Sequence, residues 1–362
     1  MFCHHEGLSP LWEEDFIIPQ GCYVVPDQER ECHTMPFQVV CCEACRAYQT
    51  KYLGDMNVIY DYEANAHGTI RSSMNVRFAE FIGSTGTSIL EIGGGNGGLS
   101  DIIIEARPGL PYTIVDPTYS GREEGKKIVR SFLEDMPNGV LDGVDTVVMS
   151  HVFEHFYEPR KVLEAIRDVK HVFINFPDLE SYILEDNYHV LNPEHIFYVE
   201  NQFITGLLAQ YGFQQKRLYH HEKHSVFFEF EKEERTGAEA GEVVTLWNQD
   251  SVREVPAFFD RIFERVRGIH DMIEQNPDRT VYIWPCSMHT TYLFALGLDV
   301  GRVEAILDNA PHKIGQYLYG FKKRCISFQS VLENEAPCMI ILNGGCYNQE
   351  IAKNVYKHIL FV

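Results

Sequence analysis

The feature that most restricts how this chain can fold is a strand running straight into glycine. Ser88-Ile89-Leu90-Glu91-Ile92 is followed by Gly93-Gly94-Gly95-Asn96-Gly97-Gly98. Five glycines in six positions weaken a helix start unless something needs the space. Glycine admits positive φ and lets a backbone come close to a ligand. An apolar strand ending this way places backbone N–H groups at the carboxyl edge of a sheet, where ligands bind in doubly wound folds. The pattern continues downstream. Apolar strands are expected at 112–116, 145–150 and 171–176, with helical spacing over 159–169. Such alternation predicts a parallel sheet with helices on both faces.

A chain of 362 residues is too long for one ordinary core. Residues 1–55 are rich in Cys, Pro and aromatics. Residues 56–235 carry the alternating pattern, and 241–362 resume it after a charged, then small, run at 231–238. A helical stretch over about 243–275 precedes strands at 281–284, 303–308 and 339–342. This describes an α/β protein with a small N-terminal domain and a smaller C-terminal α/β domain. At 45 % hydrophobic and 23 % charged, the composition is that of a soluble protein. No apolar run approaches the roughly 18 residues that span a bilayer. The first residues lack the basic-then-apolar pattern of a signal peptide, so a cytoplasmic location and no membrane partner are expected. A net charge of −21 repels phosphate backbones and argues against a nucleic-acid polymer as partner.

Glu91 stands directly before the turn, and Asp116 ends the second strand, placed to accept from ribose hydroxyls. Gly93-x-Gly95-x-x-Gly98 also fits a dinucleotide fingerprint, which keeps an NAD-dependent oxidoreductase open as an alternative. An acid before the turn suits a cationic sulfonium ligand better than a pyrophosphate, so S-adenosylmethionine is the expected cofactor. Its candidate contacts are Glu91, Gly93, Gly95, Asn96, Asp116, Ser150 and His151. Ser150-His151-Val152-Phe153-Glu154-His155-Phe156-Tyr157-Glu158-Pro159 is very like the segment after strand four in class I methyltransferases. His151 and His155 lie four apart, but on a strand end and loop they are not read as a metal pair. His155 is expected to be a packed loop residue.

Six of the ten cysteines precede residue 46. Disulfides are disfavoured in a reducing cytosol, so this end reads as a metal site. Cys42-Glu43-Ala44-Cys45 has the spacing of a zinc knuckle, with Cys3 as the natural third ligand. For the fourth, His5, His4, Cys32 and His33 are candidates, and His5 is taken here. The zinc would be structural. Further on, Tyr188-His189-Val190-Leu191-Asn192-Pro193-Glu194-His195-Ile196-Phe197-Tyr198 offers a Glu–His pair. It reads equally as an acid–base site or as a surface loop.

With these motifs in place, the chain resembles the sugar C-methyltransferase family over nearly its whole length and in the same domain order. Pro36-Phe37-Gln38-Val39-Val40-Cys41-Cys42-Glu43-Ala44-Cys45 looks like that family's zinc-binding segment, and Tyr60-Asp61-Tyr62 like its tyrosine-bearing linker. Asn192-Pro193-Glu194-His195-Ile196-Phe197-Tyr198 resembles its catalytic signature, with Asn192 and Pro193 in place of Tyr-His. Leu307-Asp308-Asn309-Ala310-Pro311-His312-Lys313-Ile314-Gly315 is similar to the segment closing its last domain. The resemblance implies a class I methyltransferase Rossmann-like sheet, a zinc-binding domain ahead of it and a Rossmann-like domain after it. It implies His195 as general base, with Glu194 beside it and Tyr62 as partner. The substrate would be a small nucleotide-linked deoxysugar, methylated on the carbon beside a ketone. O-methylation of a sugar hydroxyl and a non-catalytic scaffold are the remaining alternatives. A monomer or weak homodimer is expected.

Overall fold

The computed structural model describes residues 2–3, 5–13, 15–21, 24–59, 69–185, 187, 194–233, 249–343, 348 and 358–362, the side chains of 69–71, 134 and 249–253 excepted. Tyr62, His4, Asn192 and Pro193 lie outside the described residues, as do most of the expected linker and the start of the helix placed over 243–275.

The cysteine-rich block supplies strands β1 (Leu8–Pro10), β2 (Phe16–Pro19), β3 (Val24–Val25), β4 (Thr34–Phe37), β5 (Val39–Cys42) and β6 (Tyr48–Thr50). The middle block supplies β7 (Ile89–Ile92), β8 (Tyr112–Val115), β9 (Lys127–Val129), β10 (Thr146–Ser150), β11 (His171–Pro177), β12 (Phe197–Tyr198), β13 (Phe213–His221) and β14 (Ser225–Lys232). From the last block come β15 (Thr280–Trp284), β16 (Val303–Leu307), β17 (Tyr317–Leu318), β18 (Lys323–Ile326), β19 (Cys338–Leu342) and β20 (Ile359–Phe361).

The middle sheet has the order β13-β14-β11-β10-β7-β8-β9. Strands β7 and β10 are buried at every position, as expected of parallel strands covered on both faces. One expectation needs correcting, because the sheet is mixed and not purely parallel. Strand β14 runs antiparallel to both β11 and β13. The reversal is made by a tight turn in which Glu222 and Lys223 have φ of 47° and 55°, and His224 N–H donates to the His221 carbonyl at 3.0 Å. Two successive positive φ values give the turn twist that suits a hairpin. Glycine or asparagine normally advertises such a turn, and here neither is present.

The last sheet has the order β20-β19-β15-β16-β18-β17-β3, so a strand from the cysteine-rich block finishes the C-terminal sheet. The other N-terminal strands are shared too. Strands β1, β5 and β6 pair on to β12 from the middle block, and β2 pairs with β4. Among the described residues of 1–55, the buried clusters are shared with later blocks. Ile18 and Phe37 pack with Leu179 and Tyr198 of the middle block and with Phe258 and Ile262 of the helix Gln249–Gln275. That helix then turns Val266, Ile269 and Ile273 under the C-terminal sheet. Burying each such side chain is worth about 1.5–3 kcal/mol, and the three blocks are joined by this shared cluster. Among the described residues, no helix is long and apolar enough to cross a membrane.

Candidate active site

The order of the middle sheet reverses at β7, which lies between β8 and β10, and the glycine turn leaves the carboxyl end of β7. A ligand crevice opens at such a switch point. Gly93, Gly95 and Gly97 have φ of 74°, 55° and 79°. A Cβ on Gly93 would lie 2.6 Å from Val152, and one on Gly94 would lie 2.6 Å from Ile114. At Gly95 a Cβ would meet nothing within 4 Å. The turn is thus packed tightly on its protein side and open at Gly95, as a cradle for a ligand must be. Gly97 begins the helix Gly98–Ala106, and the Asn96 carboxamide oxygen accepts from Gly98 N–H at 3.2 Å.

Asp116 follows β8 and is buried. Its carboxylate accepts Gly95 N–H at 2.7 Å through one oxygen and Thr118 N–H at 2.7 Å through the other. This acid shapes the cradle directly. Glu91 stands differently from a direct partner of a cationic ligand. It is 1 % exposed and accepts from the Tyr112 hydroxyl at 2.9 Å. Burial pushes its pKa up to about 7. Ser150 ends β10 and accepts from the Asn175 carboxamide at 3.0 Å. The His151 imidazole is turned between Glu154, at 3.2 Å, and the Ser225 hydroxyl, at 2.9 Å.

Beyond Val152, which backs Gly93, a short turn carries Glu154 and His155 to the loop of His195. His195 is 9 % exposed, with Nε2 3.8 Å from Glu154 Oε1. His155 Nε2 lies 4.0 Å from the same oxygen, and its Nδ1 lies 3.7 Å from Glu194 Oε2. Glu154, His155 and His195 keep one donor atom each within 4.8 Å of the others. Because their separations differ and His155 also faces Glu194, we read them as an acid–base cluster. His155 was expected only to pack; it belongs to this cluster. Glu154 was missed, and its one sequence signal is an acid flanked by Phe153 and followed by histidine. The main chain fixes the loop. Ile196 N–H donates to the Glu154 carbonyl at 2.8 Å, and Thr50 N–H of β6 donates to the Ile196 carbonyl at 2.9 Å. Phe2 packs edge-on against Phe197 at 4.9 Å.

The second cluster is Cys3, Cys42 and Cys45, whose sulfurs lie within 4.8 Å of one another, with Cys3 and Cys42 at 3.5 Å. Arg46 N–H donates to the Cys42 carbonyl at 2.9 Å, closing the turn that carries Cys42 and Cys45, and Arg46 itself is left-handed at φ 58°. Zinc–sulfur bonds near 2.3 Å suit such a triad, which supplies three of four tetrahedral positions. His5, the expected fourth ligand, is exposed and outside the group. Its Nε2 lies over Gly7 beside Glu43, so that a Cβ there would be 2.6 Å from each. His33 and Cys32 are also placed elsewhere, against Tyr319 and Gly320.

The family model described as "Methyltransferase domain" matches residues 62–217. The chain carries a class I S-adenosylmethionine-dependent methyltransferase domain, and its dinucleotide-like glycine spacing belongs to that domain. Among solved structures, the pyocyanin biosynthetic protein PhzM is similar at 16 % identity, covering 44 % of this chain and 56 % of that one, with a TM-score of 0.37. The mitomycin 7-O-methyltransferase MmcR is similar at 17 % identity, covering 46 % and 55 %, with a TM-score of 0.37. Magnesium protoporphyrin IX methyltransferase from Synechocystis PCC 6803, with bound SAH, is similar at 16 % identity, covering 45 % and 84 %, with a TM-score of 0.35. The chain therefore spans little more than half the length of the first two. No curated protein matches the chain.

Proposed function

We propose, from the premise of that methyltransferase domain, that the protein methylates a nucleotide-linked keto sugar with His195 as general base. The supporting observation is the placement of His195, nine-tenths buried beside Glu154, on the turn whose Val152 backs the glycine cradle. When bound, S-adenosylmethionine supplies an electrophilic methyl on a sulfonium sulfur, which keeps the bonding pair as the methyl leaves. Gly93, Gly95, Asn96 and Asp116 hold and orient it at the end of β7. His195 takes the proton from the acceptor, leaving an electron pair aligned for in-line attack. The family resemblance on its own would make Tyr62 and Glu194 the partners of the base. Cys3, Cys42 and Cys45 hold a structural zinc, and Cys42→Ser is expected to lose the one zinc that atomic absorption counts.

The test is calorimetric titration with S-adenosylhomocysteine, then mass spectrometry of 4-keto and hydroxyl sugar nucleotides after incubation with the cofactor. Methyl on the carbon beside the ketone is the expected product. Methyl on oxygen would move the acceptor to the hydroxyl class, and no product from either class would overturn the sugar reading.

A further inference from the structure

We infer that Glu154, and not the adjacent Glu194, is the carboxylate that positions His195 and stabilises its protonated form. The inference rests on His195 being the base proposed above.

Glu154 is fully buried, and its carboxylate is surrounded by imidazoles: His151 at 3.2 Å, His195 at 3.8 Å and His155 at 4.0 Å. A buried carboxylate is costly unless hydrogen bonds and opposite charge meet it. It also meets the His195 loop at two points. Its carbonyl takes Ile196 N–H, next in sequence to His195, while its side chain faces the His195 ring. One residue thus holds the backbone beside the base and keeps its carboxylate within 3.8 Å of the ring. Glu194 faces His155 instead, at 3.7 Å.

Glu154 is itself clamped. His151 bridges it to Ser225, and Ser225 is 0 % exposed at the start of β14. The Ser225 hydroxyl lies 2.6 Å from His224 Nδ1 as well. The clamp therefore runs from β14 through His151 to the carboxylate. A carboxylate on one imidazole nitrogen fixes the tautomer, so that the other nitrogen presents its lone pair, and then stabilises the imidazolium. When His195 takes the acceptor proton, the positive charge formed lies beside Glu154. The 3.8 Å separation is longer than a hydrogen bond, and it closes on acceptor binding, when catalytic hydrogen bonds tighten. Among the described residues, the titratable groups facing His195 are Glu154 and His155 from the turn and Glu194 and Tyr198 from its own segment; β6 presents the uncharged Thr50 against Ile196.

The experiment compares Glu154→Gln and Glu194→Gln in the full chain. It follows the His195 ring by NMR titration, which needs no acceptor, and kcat against pH with whichever sugar nucleotide turns over. Glu154→Gln is expected to lower the His195 titration midpoint by about one pH unit and kcat by about 100-fold, with S-adenosylhomocysteine affinity within threefold. Glu194→Gln is expected to move the midpoint less than half as far. If Glu154→Gln does not fold, His151→Asn replaces it. Asparagine tolerates the φ of 51° at that position and breaks the clamp, and a downward midpoint shift is again expected. An unmoved midpoint in the Glu154 or His151 variant, or a larger shift from Glu194→Gln, overturns the inference. Full turnover in His195→Ala would instead overturn the base itself.

Discussion

The middle and C-terminal sheets share one plan, in which the first strand lies between the second and the fourth parallel strand, yet their carboxyl edges differ. In the middle sheet β7 lies between β8 and β10, and in the C-terminal sheet β15 lies between β16 and β19. An acid follows the second strand in each: Asp116 after β8 and Asp308 after β16. Asp116 meets the backbone of a glycine turn, leaving open space at Gly95. After β15 the chain reads Pro285-Cys286-Ser287. There Lys313 donates to the Cys286 carbonyl at 2.8 Å and to Asp308 at 2.9 Å, tying the first turn to the acid. A lysine of the chain itself thus occupies the interval that a ligand fills in dinucleotide folds. Topology brings a turn and an acid together twice; at Gly95 there is open space between them, and at the other edge a lysine links them.

Five variants break or sharpen that contrast. The largest effect is expected from His195→Ala, which should lower methyl transfer about 1,000-fold while S-adenosylhomocysteine affinity stays within threefold. Turnover within tenfold of the parent would place the base elsewhere. Next, Gly95→Val puts a branched side chain into the open cradle at φ 55° and should weaken S-adenosylhomocysteine about 100-fold by calorimetry. Ser287→Val at the other edge should leave that affinity unchanged. Equal losses would show that the two edges are not distinct.

Glu91→Gln tests the buried acid beneath the cradle. The folded-state pKa, about 7, is above the ordinary 4.5, so the folded protein holds this proton more tightly. Stability should therefore fall as pH rises from about 4.5 to about 7, by about 3 kcal/mol from this group. Urea unfolding at pH 5 and pH 8 should show that difference in the parent and its loss in the variant. An unchanged pH dependence would mean that Glu91 is ionised at both pH values. The smallest effect is expected at the edge tied by Lys313. Lys313→Ala should lower Tm by about 3 °C and leave cofactor affinity alone.

Much of this was legible from residue patterns. The middle strands are short apolar runs, and buried parallel strands need nothing else. The glycine turn and Cys42-x-x-Cys45 announce themselves because their function depends on local geometry. Other features have no local signature. Glu222 and Lys223 make a hairpin turn without glycine, so the reversed β14 was not visible. His155 and Glu154 look like loop residues until β12 is paired with β6. The spacing leaves the fourth ligand open among His5, His4, Cys32 and His33, and the ring of His5 points over Gly7.

By itself, the sequence determined the α/β class, the cofactor turn with its two acids, and the cysteines near enough to gather. These follow from short-range rules of periodicity, φ and ligand spacing. The tertiary structure alone decided which groups meet across the edge. It placed Glu154 against His195 and left Glu194 facing His155. It joined the cysteine block to the His195 loop through β6, and it tied Asp308 to the Cys286 turn through Lys313. Those choices come from packing among residues far apart in the chain, where no local pattern records the partner.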